Sequence, residues 1–446
     1  MPEAGVKMIV TDLVHEAAHP LTGSPADYDP LLGFIGDARF VLIGEASHGT
    51  HEFYRERAKI TKRLICEKGF NAVAVEADWP DAWRVNNWVH GQGADNDAVD
   101  ALAGFRRFPA WMWRNADVLD FVGWLRDFNS SRRPKSRVGF YGLDLYSLQT
   151  SIEAVVHYLE RVDGAAAQRA RRHYSCFDEI ADPTGYGYDV ELGLTKSCRD
   201  DVIQTLLELR RRSGTYMRFD GVGAEDEYFY AEQNARVAKD AEEYYRTMVD
   251  RRTSSWNLRD RHMFETLDQL ATHLARHRDG TKIVVWAHNS HVGNAAATEM
   301  SDRGEFNIGQ LARRSLGTEA ALVGFTTYAG TVSAASDWGA PVERKVVRPA
   351  LAGSYEELFH RTGIPRFSLM LDDPAVRAVC SEPLLERAIG VIYRPDTERE
   401  SHYFQSILPD QFDVVIHIDH TRAVEPLERN ATWEAGEVSE TYPTGL

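Results

Sequence analysis

The sequence lacks the features that mark membrane proteins and nucleic-acid-binding proteins. No apolar run approaches the roughly 20 residues of a spanning helix, and no basic segment followed by an apolar one opens the chain. The 51 Lys and Arg residues are outnumbered by 67 Asp and Glu residues, and the resulting net charge of −16 repels phosphate backbones and anionic lipids. We therefore expect neither nucleic acid nor a membrane as a partner.

Cysteine is scarce as well. The four cysteines, at positions 66, 176, 198 and 380, show no C-x-x-C spacing. This pattern predicts neither a disulfide framework nor a zinc knuckle, and it favours a cytoplasmic protein. The 446 residues suffice for a large core, and we expect residues 1–446 to form a single domain.

Short apolar runs rich in β-branched residues recur along the chain. Such continuous runs, separated by helical patterns, are typical of strands that are buried on both faces of a parallel sheet. We therefore predict the α/β class, with a mostly parallel central sheet flanked by helices. The six clear runs are residues 40–43, 72–75, 138–141, 283–286, 321–325 and 414–418, and the weaker runs 367–371 and 389–393 would complete about eight strands.

The stretch between the third and fourth runs has no convincing strand pattern. Residues 147–277 are helical in pattern and heavily charged, so we predict a large helical insertion within the single domain. Such an insertion can act as a lid over a substrate site, or it can simply thicken the body of the protein.

Polar side chains follow four of the predicted strands, each at the carboxyl end of its strand. A lone carboxylate in such a position often caps a helix, and a lone His often only binds the backbone. The carboxyl ends of parallel strands meet at one edge of the sheet, however, where ligands bind in α/β folds. The recurrence predicts one site that combines Glu45, His48, Glu76, Asp144, His288 and His291.

The helix predicted after the first strand carries an arginine within its apolar face. Thr50 can cap this helix and Gly69 can end it, while Arg57 shares one face with Phe53 and Ile60. Arg57 can pair with a structural carboxylate, or it can point into the cleft and hold a developing negative charge.

The segment “GEASHG” is not a nucleophile elbow. An elbow needs G-x-S-x-G, but Gly44 lies three residues before Ser47, and Glu45 stands where the first glycine should be. Water is therefore the expected nucleophile, activated by a His that a carboxylate orients. Glu45 and His48, three residues apart in a turn, are close enough to form such a pair.

Two regions are expected to shape the pocket. Trp111 and Trp113 lie beside Pro109 in a stretch typical of a loop, where they can wall a roomy apolar pocket, although aromatic residues more often belong to a core. The loop 333–345 is expected at the mouth of the pocket.

Seven segments, spread from about residue 39 to 420, carry a family resemblance: “LIGEASHGTHEFYRERAKITKRLI”, “VAVEADWPDAWRVNNWV”, “RRFPAWMWRN”, “FYGLDLYSL”, “WNLRDRHMFETL”, “VVWAHNSHVGN” and “ESHYFQSILPDQFDVVIHID”. Together they resemble the erythromycin esterase family, which also includes members assigned to polysaccharide biosynthesis. The resemblance implies a hydrolase that opens an ester or a lactone with activated water, without a covalent serine intermediate and without an obligatory metal or other cofactor.

The resemblance also implies roles for individual residues. His48 would be the general base with Glu45 beside it, and His288 and Arg57 would support the substrate carbonyl or its oxyanion. Glu76 would be a further carboxylate of the site. His291, Asp144 and the pair Arg259–Asp260 match the family segments with less certain roles, and we expect His291 and Asp144 near the substrate.

Two other functions stay open at this point. Glu45, His48, Glu76 and His288 offer the nitrogen and oxygen ligands of a metal-dependent hydrolase. A non-catalytic protein that binds a bulky hydrophobic ligand would keep the pocket but would not need a base and an oxyanion donor. The expected partner is a small-molecule ester or lactone, and the sequence does not set the oligomeric state.

Overall fold

A mostly parallel sheet forms the centre of the computed structural model, which describes residues 2–178, 183–218, 223–248, 254–276 and 280–435. In chain order the strands are β1 (His19–Pro20), β2 (Phe40–Ile43), β3 (Ala72–Asp78), β4 (Gly139–Asp144), β5 (Ile283–Trp286), β6 (Ala320–Thr326), β7 (Ala329–Ala334), β8 (Glu343–Val347), β9 (Arg366–Met370), β10 (Leu384–Arg387), β11 (Tyr403–Ser406), β12 (Val414–Ile418) and β13 (His420–Thr421).

Helices flank the sheet. They are α1 (Pro2–Ala17), α2 (Asp29–Ile35), α3 (His51–Lys68), α4 (Trp79–Val89), α5 (Ala98–Leu102), α6 (Ala116–Ser130), α7 (Leu148–Val162), α8 (Gly164–Tyr174), α9 (Pro183–Glu191), α10 (Arg199–Arg211), α11 (Ser213–Tyr216), α12 (Ala224–Thr247), α13 (Ser255–Ala275), α14 (Asn289–Val292), α15 (Ile308–Leu316), α16 (Tyr355–His360), α17 (Pro374–Val379), α18 (Glu398–Ser401), α19 (Leu408–Gln411) and α20 (Ala431–Ala435). No helix in these described ranges is long and apolar enough to cross a membrane.

The central sheet has eight strands in the order β1-β9-β12-β6-β2-β5-β3-β4. The six strands from β12 to β4 are parallel, whereas β9 and β1 are antiparallel to their neighbours. Every residue of those six strands is buried, because helices cover both faces of the sheet, and this explains the continuous apolar runs. The predicted α/β class with a mostly parallel sheet is confirmed.

One predicted strand is wrong. Residues 389–393 make only isolated bridges, from Ile389 to Ser47 and from Ile392 to Ala335, and the two-residue strand β1 supplies the eighth strand instead. Ile389 and Tyr393 pack with Val332 and Val347 in a small separate cluster, and this burial accounts for their apolar side chains. Their hydrophobicity therefore reflects burial outside the sheet.

The site edge of β3 is irregular. Its register against β4 shifts between Val75 and Asp78, so the chain around Glu76 approaches β4 closely. A Cβ atom on Gly142 would lie 2.5 Å from the carbonyl oxygen of Ala77 and 2.7 Å from that of Asp78. Glycine at position 142 is therefore required for the path of the strand that carries Glu76.

The described part of residues 147–276 contains the helices α7 to α13, joined by turns and short connections, and no strand, and His277 lies outside the described residues. Helices α7, α8, α10 and α12 enclose an apolar cluster of their own. Helix α13 also contacts β4, which brings the insertion against the site edge of the sheet.

The cysteine prediction needs a correction. Cys176 and Cys198 form a disulfide with their Cα atoms 5.8 Å apart, although 22 residues separate them in the sequence. The packing of the insertion brings the two residues together, and sequence spacing carries no sign of that packing. Cys66 and Cys380 are free. The cysteines therefore give no support to a cytoplasmic location.

We expect Gly142→Ala to lower the free energy of unfolding by about 1–3 kcal/mol, because its methyl group would overlap two backbone carbonyls. Gly123→Ala is the matched control, since Gly123 lies inside α6 with open space around it, and we expect this change to stabilise by up to about 1 kcal/mol. Urea unfolding measures both effects. Equal stability of the two variants would contradict the close approach at Gly142.

Candidate active site

The turn after β2 is packed so closely that glycine is needed at both of its ends. A Cβ atom on Gly44 would overlap Oδ1 of Asn289, and one on Gly49 would overlap the backbone carbonyl of Ser333. The buried hydroxyl of Ser47, inside the turn, is hydrogen-bonded to that of Thr50, which directly follows it. Thr50 precedes α3 as predicted, but this hydroxyl bond replaces the expected side-chain cap.

Glu45 links a histidine to a buried arginine. Its Oε1 accepts a hydrogen bond of 2.9 Å from His48 Nδ1, and its Oε2 lies 2.8 Å from Arg57 Nη2, at ion-pair distance but without hydrogen-bond geometry. Arg57 is fully buried under the rings of Tyr54 and Trp286. A buried carboxylate needs such a compensating charge.

This contact sets the tautomer of His48. A carboxylate can only accept, so Nδ1 carries the hydrogen that is donated to Glu45 Oε1. The neutral ring then has its lone pair on Nε2. Because His48 lines the cavity described below, that nitrogen can accept a proton from a bound molecule.

His288 has the opposite tautomer. Its Nδ1 lies 3.2 Å from the backbone N–H of Ser290 and 2.8 Å from the hydroxyl of that residue. The backbone N–H can only donate and the hydroxyl can do so, so Nδ1 is the acceptor and the ring hydrogen of the neutral form is on Nε2. Burial, and then repulsion by His48, holds the pKa of His288 well below its ordinary value. Nε2 forms no hydrogen bond of acceptable geometry with a described residue. The carbonyl of Ala46 is nonetheless near enough to favour a hydrogen on this nitrogen. The His48 and His288 ring centroids are 4.8 Å apart.

Arg259 of α13 binds two carboxylates, Glu76 near the end of β3 and Asp144 at the end of β4. Its Nη2 donates to Glu76 Oε1 at 2.6 Å, and its Nε and Nη2 donate to Asp144 at 2.9 and 2.7 Å. The second oxygen of Glu76 accepts the backbone N–H of His288 at 2.9 Å. Burial alone would raise the pKa of Glu76, but His291 and Arg259 outweigh it and hold that pKa well below its ordinary value.

His291 lies between two carboxylates. Its Nδ1 donates to Asp260 at 2.9 Å, and its Nε2 lies 3.2 Å from Glu76 Oε1. Burial lowers its pKa, but Asp260 and Glu76 outweigh burial and raise the pKa to about 9. Arg259 Nη1 lies 2.9 Å from the same Nε2, and this contact favours the neutral ring. The two carboxylates together carry more charge than the one guanidinium, so we assign the protonated ring.

A cavity of about 300 Å³ lies in front of these groups. Trp113 lines it, whereas Trp111 packs in the main apolar core and does not line it. Arg57 and Glu45 do not line the cavity either, and lie behind the residues that do. The side chains that face the cavity include His48, Glu76, Arg107, Asp144, Tyr146, Trp256, Arg259, His288, His291 and Trp338.

An apolar groove of about 800 Å³ adjoins this cavity. Both are lined by Arg107, Tyr146 and Trp338, the last from the loop expected at the pocket mouth. Tyr244 and Tyr245 of α12 also line the groove. The insertion thus supplies walls to both spaces.

Some residues of the cavity could not be found by looking at strand ends. Trp256 and Arg259 come from α13, and Arg107 and Tyr146 come from connecting segments. Their sequence signal is their place in the family-like segments, which contain Arg107, Tyr146, Trp256 and Arg259 but do not show that these side chains meet.

The described residues contain no group of three or more His, Cys, Asp or Glu side chains that could hold a metal ion. The carboxylates of Glu45 and Glu76 are instead each in contact with a guanidinium group. A metal ion bound to either carboxylate would be repelled by that cation.

The raised pKa of His291 predicts a pH-dependent stability. Its stabilising contribution is complete below the unfolded pKa of about 6.5 and is lost as pH rises through about 9, at a cost of roughly 3 kcal/mol. Urea unfolding from pH 6 to 10 should show this loss in the wild type but not in His291→Asn. The control His157→Asn replaces a side chain that is 75% exposed and should follow the wild type. An unchanged pH dependence in His291→Asn would contradict the charged ring.

Comparisons with known proteins agree with this architecture. The chain is 23% identical over 364 residues to the erythromycin esterase type II of Escherichia coli, which covers 76% of this chain and 82% of that protein. A crystal structure of a succinoglycan biosynthesis protein superposes with a TM-score of 0.77 at 20% identity, covering 94% of this chain and 99% of that one. An erythromycin esterase mutant, EreC in its open conformation, superposes with a TM-score of 0.66 at 16% identity, covering 91% and 96%.

The two structural matches show a shared fold. The model of the erythromycin esterase family matches residues 65–421, which is most of the chain. This match supports a hydrolase of the kind that the family's name describes. The chain belongs to the erythromycin esterase family.

Proposed function

We propose that this protein hydrolyses a carboxylic ester or a lactone with water that His48 activates. The observation that carries the proposal is the pairing of two neighbouring histidines with opposite tautomers. His48 has a free acceptor at Nε2, and His288 has a donor at Nε2. A proton acceptor beside a hydrogen-bond donor is what attack of water on a carbonyl group requires.

The steps follow from these roles. His48 Nε2 takes a proton from water while the water oxygen bonds to the carbonyl carbon, and Glu45 stabilises the imidazolium that forms. The carbonyl oxygen, now negative, accepts a hydrogen bond from His288 Nε2. The tetrahedral intermediate collapses when the bond to the alcohol oxygen breaks, and His48 returns the proton to that oxygen.

Arg57, Glu76 and Asp144 act as positioning residues in this scheme. Arg57 balances the charge of Glu45 and does not line the cavity, so it stabilises Glu45 and not the oxyanion. Glu76 holds the backbone N–H of His288, and Asp144 holds Arg259. His291 faces the cavity and can contact the substrate.

The substrate that we propose is a small-molecule ester or lactone with a bulky apolar part. The apolar groove next to the cavity has room for such a group. A macrolide lactone is the first candidate, because one relative is named an erythromycin esterase. The insertion contributes to both spaces, which supports a role as a cap over the substrate.

A test of the nucleophile compares two neighbouring residues. We expect His48→Ala to lower kcat by about 10²–10⁴-fold, because it removes the general base. Ser47→Ala should keep most of the activity, since the hydroxyl is buried against Thr50. Rates on a panel of macrolides and aryl esters measure both, with circular dichroism as the control for folding. Loss of activity in Ser47→Ala together with a trapped acyl-enzyme would contradict the proposal.

The metal-dependent alternative has a direct test. We expect the wild type to keep its activity after dialysis against a chelator, and elemental analysis to find no stoichiometric transition metal, because guanidinium groups already neutralise both carboxylates. A stoichiometric metal that disappears in His288→Ala would favour the alternative. Tight ligand binding with no turnover on the whole panel would instead indicate a non-catalytic binding protein.

A further inference from the structure

Glu386 of β10 is a fully buried carboxyl group that has only neutral hydrogen-bond partners. Its Oε2 is 2.9 Å from the hydroxyl of Ser406, and its Oε1 accepts a long hydrogen bond of 3.4 Å from the side-chain amide of Asn289. No cation forms an ion pair with it among the described residues, since neighbouring Arg387 pairs with Glu398 at 3.1 Å. A buried carboxylate without a partner is costly, so the neutral acid is favoured.

Asn289 connects the two turns of the proposed active site. It directly follows His288, and its backbone N–H donates to the carbonyl of Glu45 at 2.8 Å. Its side chain also binds β6, donating to the Phe325 carbonyl at 2.7 Å and accepting the Phe325 N–H at 3.2 Å. Gly44 packs against the same side chain. The spacing between the His48 turn and the His288 turn therefore depends on Asn289.

We propose that Glu386 is a positioning residue that acts as a neutral acid, holding Asn289 so that His48 and His288 keep their spacing. The neutral form accepts one hydrogen bond from Asn289 and leaves the bonds of that amide to Phe325 intact. The ionised form would attract the amide nitrogen more strongly and draw it away from the Phe325 carbonyl, which its other hydrogen binds. Ionisation of Glu386 would thus loosen the contact that joins the two turns.

The surrounding charges agree with a neutral Glu386. Burial, and then repulsion by Glu356, raises its pKa to about 8, although hydrogen bonds from Ser406, Gln411 and Asn289 lower it in part. Glu356 is itself fully buried and accepts the backbone N–H of Arg387 at 2.8 Å. The guanidinium of Arg387 points away, toward Glu398 and the carbonyls of Thr327 and Tyr328.

The test compares the wild type with Glu386→Gln, Glu386→Ala and Glu356→Gln, measuring kcat and KM from pH 6 to 10. The wild type should lose kcat above about pH 8, whereas Glu386→Gln, a permanently neutral mimic, should lack this loss. Glu386→Ala should lower kcat by about 10- to 100-fold with little change in KM, because the two turns lose their spacing. Glu356→Gln removes the repulsion and should move the loss to lower pH.

A second measurement needs no substrate. The folded pKa of Glu386 lies above its unfolded value, so this residue destabilises the wild type progressively from about pH 4.5 to about pH 8 and by a constant amount above that. The melting temperature of Glu386→Gln should therefore rise relative to the wild type over this range.

The activity measurement rests on the proposed function, and the melting measurement does not. If the wild type hydrolyses no ester or lactone, the proposed function fails while the melting temperatures still test the neutral acid. An unchanged kcat profile in Glu386→Gln would overturn the positioning role, and a melting difference that does not vary with pH would overturn the neutral acid.

Discussion

Arg259 connects the helical insertion to the carboxyl ends of two strands, and the arrangement of the site depends on this contact. Its side chain is only 14% exposed, and a charge that is so far removed from water needs partners. Glu76 and Asp144 supply them, so the insertion can pack on the sheet only where those carboxylates lie. Glu76 in turn fixes the backbone N–H of His288. A single ion-pair network thereby positions both the wall of the cavity and one of its histidines.

A second buried pair, Arg57 with Glu45, does the same for the other histidine. The carboxylate of Glu45 makes His48 a donor through Nδ1, whereas a backbone N–H makes His288 an acceptor through Nδ1. Two identical side chains, with ring centroids 4.8 Å apart, therefore present opposite functions to one cavity. The hydrogen-bond partner of each Nδ1 atom sets the role of its ring, because both rings are otherwise similarly buried.

The sequence predicts those parts of the site that depend on local pattern. Buried parallel strands are continuous apolar runs with their carboxyl ends at one edge, which brings Glu45 and His288 together. Contacts that depend on how distant elements pack have no such pattern. Arg259 lies 115 residues from Asp144 in the sequence. Trp111 and Trp113 belong to one short turn, and no sequence pattern shows which of the two side chains faces the cavity. Ile389 and Tyr393 belong to an apolar cluster outside the sheet, and their hydrophobicity resembles that of a strand.

The central claim is that the two histidines have different tautomers, and nitrogen NMR of protein labelled with ¹⁵N-histidine tests it most directly. Spectra of the wild type, assigned with His48→Ala and His288→Ala, should show the hydrogen of neutral His48 on Nδ1 and that of neutral His288 on Nε2 at pH 7 to 8. The same tautomer in both rings, or a hydrogen on Nδ1 of His288, would contradict the account.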